Sequence, residues 1–171
     1  MPAETVHLLL RITARCSGTL FLVAFGIAGW ASVLPTLRGL AARRRGLLLA
    51  FGAVHTVHAG LVVLLACVIG LHAFRAQFGI AVLLGGVLIL MMWGLMADLL
   101  APGRWPLVRT RAWRGITEWW FFSIFTLTFV VKSLQAWPLA VLGLLAVAAM
   151  AGRIAWYVSL RRQPAAGAPA S

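Results

Sequence analysis

Long uncharged runs separated by short, arginine-bearing segments dominate this chain. Crossing a bilayer takes about 20 mainly apolar residues in helical form. By that measure the pattern predicts five helices, at 15–36, 47–71, 78–99, 115–134 and 138–159. The stretch from Cys16 to Leu37 carries no charge and exceeds the apolar core of a signal peptide, so it reads as a retained helix. The connections are "RGLAARRRG", "HAFRAQF", "APGRWPLVRTRAWR" and the tight "SLQAWP". Pro102 and Pro106 part the third helix from the fourth, and Pro138 suits the first turn of the fifth. The closing "QPAAGAPAS" is of low complexity and is expected to be disordered. The expected fold is an all-α integral membrane bundle of five transmembrane helices, with one domain over 1–160 and a disordered cytoplasmic tail over 161–171.

Composition strengthens this picture. Hydrophobic residues make up 63% of the chain and charged ones 11%, with a mean hydropathy of +0.99. Soluble domains carry about 25% charged residues. The net charge of +12 would suggest nucleic acid in a soluble protein. Here the arginines sit in loops between apolar runs and leave no basic soluble face, so nucleic-acid binding is excluded. Alternate connections differ in charge. One side holds Arg38, Arg43, Arg44, Arg45, Arg104, Arg109, Arg111, Arg114, Arg161 and Arg162; the other holds Arg11, Arg15, Arg75 and Lys132. That asymmetry predicts an N-terminus outside and a C-terminus in the cytoplasm. Arg153 is then placed to snorkel to the inner interface. Trp105, Trp113, Trp119 and Trp120 fall in the inner aromatic belt, and Trp137 in the outer one. Cys16 and Cys67 are isolated, form no CxxC pattern and read as small apolar fillers.

Candidate chemistry rests on histidines. His7 precedes the first run, His55 and His58 fall on the second predicted helix, and His72 stands at its edge, where it reads equally as a loop residue. An ionisable residue inside a membrane segment is a functional candidate by default. The plainer reading is a hydrogen bond between helices. His58 and His72 are 14 positions apart, which at helical pitch leaves them about 40° apart on one face and roughly 21 Å apart in depth. Two imidazoles at two depths of one face are what stacked haems require of their axial ligands. His58 is expected to face the bundle interior towards the fourth helix, which bears Thr117, with His55 in a supporting role. Glu118 is expected to meet an arginine of the inner loops, Arg114 or Arg111.

The segment "RRRGLLLAFGAVHTVHAG", residues 43–60, resembles the arginine loop and histidine helix of the ferric reductase-like transmembrane domain. It is nearest to the bacterial branch that includes the membrane haem subunit of the periplasmic methionine sulfoxide reductase system. "RCSGTLFLVAFGIAGWASVLPTL" resembles the family's preceding helix and "RTRAWRGITEWWFFSIFTLTF" its later one. The resemblance implies His58 as a haem-iron ligand and His72 as a second, with His55 beside them. It implies haem b as cofactor, and electron transfer from a separate redox partner protein or quinone. The later helix departs from the family, because Thr117 and Val130 stand where two ligand histidines belong. Met91 or Met92 are alternative ligands, or simply packing residues. Two functions follow as expectations: a membrane b-type haem electron-transfer component, or a haem-free member serving as a scaffold or partner-binding subunit. The lipid bilayer is the expected partner throughout, and a homo-oligomer is compatible with either. A transporter or channel finds less support, since the spans hold few charges beyond Glu118, Asp98 and Lys132.

Overall fold

A computed structural model describes residues 2–102, 104, 111–135 and 140–162. Among them every regular element is helical. Helix α1 spans Ala3–Val33, a single 3₁₀ turn covers Pro35–Leu37, and a short α2 runs Arg38–Ala42. Then come α3 (Arg44–Ile69), α4 (Leu71–Leu100), α5 (Arg111–Gln135) and α6 (Ala140–Arg162). The five long helices coincide with the five predicted runs. Helix α1 starts well before residue 15, because nothing between Ala3 and Cys16 breaks a helix and both arginines there are exposed. It stops where Pro35 cannot continue it. Pro106, Pro138, Trp105, Trp137 and the "QPAAGAPAS" tail lie outside the described residues.

Helices α1, α3 and α6 as far as Leu160 are long and apolar enough to cross a membrane, which marks a membrane protein. Helix α4 adds a fourth if its two halves, Leu71–Gly79 and Leu84–Leu100, form one span across an 88° bend. Helix α5 falls outside that set, since Arg114, Glu118 and Lys132 dilute its apolar run.

Helix α1 is the central element and packs most extensively on α3 and α6. Small residues let it approach α6. A Cβ on Gly26 would stand 2.7 Å from the Ala149 Cα, and one on Gly29 or Gly152 would meet the opposing backbone. Trp30 closes this seam by donating its Nε1–H to the Ala148 carbonyl at 2.8 Å. The main core is aromatic: Phe21 and Phe25 of α1, Phe51 of α3, and Phe121, Phe122, Phe125 and Phe129 of α5. Trp119 is half-buried and packs edge-on to Phe25 against this core. A second, smaller cluster of Val6, Leu65 and Phe74 closes the opposite end, with Phe78 packed against it.

Candidate functional site

Two polar groups are built into this apolar bundle. The first lies between α1 and α3. His58 Nδ1 is 2.9 Å from the Thr13 hydroxyl, and that hydroxyl donates to the Leu9 carbonyl at 2.8 Å. With the hydroxyl proton so engaged, an imidazole protonated at Nδ1 would be the donor to it. His55 repeats the arrangement less tightly. Its Nδ1 is 3.4 Å from the Ser17 hydroxyl, which donates to the Ala14 carbonyl. Thr13 and Ser17 are one turn apart on α1, as His55 and His58 are on α3, so the two pairs meet in register. The imidazoles stack with centroids 5.6 Å apart.

This placement corrects the expected orientation. His58 is half-buried against α1, not against α5. His55 is the histidine that meets α5, edge-on to Phe121 and Phe125. The single-face relation of His58 and His72 also dissolves. Helix α3 ends at Ile69, and Gly70 turns the chain at φ +84°, a conformation suited to glycine. His72 therefore opens α4, where it is exposed.

The second group lies at the other end of the bundle. Glu118 of α5 is buried, accepts from Arg44 Nη2 at 2.6 Å and forms an ion pair with Arg153 Nη2 at 3.0 Å. Arg44 also donates through Nε to the Ala24 carbonyl at 2.9 Å, so this one side chain joins α3 to α1 and α5. Arg153 does not snorkel. It is 8% exposed and lies over the rings of Phe25 and Trp156, at 4.8 and 4.6 Å from their centroids. Arg114, the neighbour expected for Glu118, instead pairs with the fully buried carboxylate of Asp98 on α4. Arg45 completes the set by donating to the Leu99 carbonyl at 2.7 Å.

Glu118 does meet an arginine of the inner-side set, Arg44 in place of Arg114 or Arg111, while Thr13, Ser17 and Arg153 were missed as partners. Signals for these three existed: hydroxyls four apart on α1, and an arginine interrupting the last apolar run.

A haem held as the resemblance implies would need a donor from α5 opposite His58, and room between the two. Thr117 is buried, with a hydroxyl that finds no hydrogen-bond partner among the described residues, and Val130 has no donor atom. The α5 side of His55 is filled. The rings of Phe51, Phe121 and Phe125 lie 5.5, 5.7 and 6.0 Å from that of His55. Met92 is fully buried within the same core cluster. The residues present do not fit a haem in this packing. Among the described residues, no three His, Cys, Asp or Glu side chains gather as a metal site. Surface hollows of about 320 and 470 Å³ lie at Glu4, His7, Leu8 and Arg11, and between the C-terminal parts of α1 and α6; neither reaches His55 or His58. Cys16 and Cys67 are both exposed on the outside of the bundle, so they are not fillers of its core.

Comparison with known protein families, curated proteins and solved structures returns no match for this chain.

Proposed function

We propose that the chain is a five-span protein of a bacterial inner membrane, N-terminus outside and C-terminus in the cytoplasm. It serves there as a haem-free scaffold or partner-binding subunit. The observation that carries this reading is the packing of Phe121 and Phe125 of α5 against His55, with both imidazoles within hydrogen-bond reach of hydroxyls on α1. Burial of both polar groups follows the rule for membrane interiors, where each must find its partners within the protein. The arginine asymmetry supports the orientation.

One observation favours the second reading, a b-type haem electron-transfer component fed by a separate protein or quinol. Both imidazoles are oriented through Nδ1 by a hydroxyl, as metal-ligating histidines are commonly oriented by a second hydrogen bond. That reading requires Phe121 and Phe125 to swing away.

An absorption spectrum of the protein purified from haem-replete cells decides between them. The scaffold reading expects no Soret band. A stoichiometric band that sharpens on reduction overturns it.

A further inference from the structure

Among the described residues, none packs over the elbow joining α1 to α3. None of the residues of the 3₁₀ turn or of α2 is buried. Yet Val33, Leu34 and Leu40 are large exposed hydrophobics, and they are interleaved with the exposed cations Arg38, Arg43 and Arg45. Apolar and cationic side chains together on an uncovered helical turn suit the boundary between acyl chains and headgroups.

The arginines next to it are already ordered. Arg45 is fixed by the Leu99 carbonyl, and Arg44 by Ala24 and Glu118, with part of each side chain still exposed. No acid lies in the first turn of α3, and its N-cap residue is Arg43, whose side chain makes no capping hydrogen bond. Three successive arginines at a helix N-terminus work against its dipole, so an anion there relieves an existing repulsion.

We propose that this elbow, Val33 to Arg45, is a docking surface for anionic phospholipid. The headgroup phosphate is held by Arg38, Arg43 and the free edge of Arg45, and the acyl chains lie against Leu34 and Leu40. Guanidinium groups suit phosphate because they offer paired donors in a planar fork. The leucines select a lipid over free phosphate. The proposal needs only the membrane location of the chain, not its scaffold role or the absence of haem.

The test uses the whole protein in nanodiscs of phosphatidylcholine, with and without phosphatidylglycerol, followed by native mass spectrometry of the lipids it retains. Wild type is expected to keep phosphatidylglycerol in preference to phosphatidylcholine. Arg38→Gln with Arg43→Gln is expected to weaken that preference by about fivefold per arginine. Arg38→Lys with Arg43→Lys should keep most of it. Thermal melting in phosphatidylcholine alone checks that the variants fold, which is expected because neither side chain is packed. Equal retention of the two lipids by wild type overturns the proposal, as does an unchanged preference in the folded glutamine variant. Displacement of the lipid by inorganic phosphate would also overturn it, by showing that the acyl chains contribute nothing.

Discussion

Arg44 and Glu118 meet at 2.6 Å although 74 positions separate them in the chain. Glu118 also holds Arg153, so one carboxylate fastens α3 and α6 to α5, and Arg44 extends the link to α1. Two guanidiniums about a single acid are stable only while that acid is charged and present. Glu118→Gln removes the charge and leaves both cations uncompensated in a largely dry site. Breaking such a buried pair costs about 3–5 kcal/mol. A large drop in melting temperature in detergent is expected, and an unchanged melt would deny the triad its structural role. Asp98→Asn should cost less, because its partner Arg114 keeps 45% of its side chain exposed.

The seam between α1 and α6 gives a second prediction. Gly29→Ala places a methyl group against the Gly152 backbone, which cannot yield as a flexible side chain would. Overpacking of this kind costs about 1–3 kcal/mol. Gly60→Ala on α3 is the control, since a Cβ there meets nothing within 4 Å. The control should melt at or above the wild-type temperature while Gly29→Ala melts below it. Equal behaviour of the two would mean the helices are not in contact at Gly29.

A third prediction concerns the histidine pair. His58→Ala removes the bond to Thr13, worth on the order of 1 kcal/mol between membrane helices. Thr13→Val should cost a similar amount, and the double variant little more than either alone, because both lose the same bond. Additive losses in unfolding titrations would show that the pair does not interact.

Orientation is open to a direct assay. With the C-terminus in the cytoplasm, a green fluorescent protein fused there should glow and a phosphatase fused there should stay silent. The opposite pattern reverses the topology.

The number and order of the long helices were legible because uncharged runs and arginine loops alternate without ambiguity. What sits across from what was less so. Helical spacing favoured Arg114 as the neighbour of Glu118, but Asp98, from another helix, claims that arginine, and Glu118 turns to Arg44 and Arg153. Tertiary packing decides between equally suitable cations, and no local pattern encodes the choice. The depth relation between His58 and His72 was lost for a different reason. It assumed an unbroken helix, and the positive φ of Gly70 divides it. The inward side of α3 was correctly expected to hold an imidazole, yet the helix it faces is α1, whose Thr13 and Ser17 supply acceptors that the phenylalanine-rich face of α5 lacks.

The length of α1 sets a mismatch with the bilayer. Its 31 residues rise about 46 Å, against a hydrocarbon thickness of about 30 Å. Roughly 16 Å must be absorbed by tilt or by protrusion. The cluster of Val6, Leu65 and Phe74 shows where the excess is sheathed. In Leu71–Gly79, Phe74 joins Val6 and Leu65 in that cluster and Phe78 packs against it. The protein thus carries a collar of its own at that end.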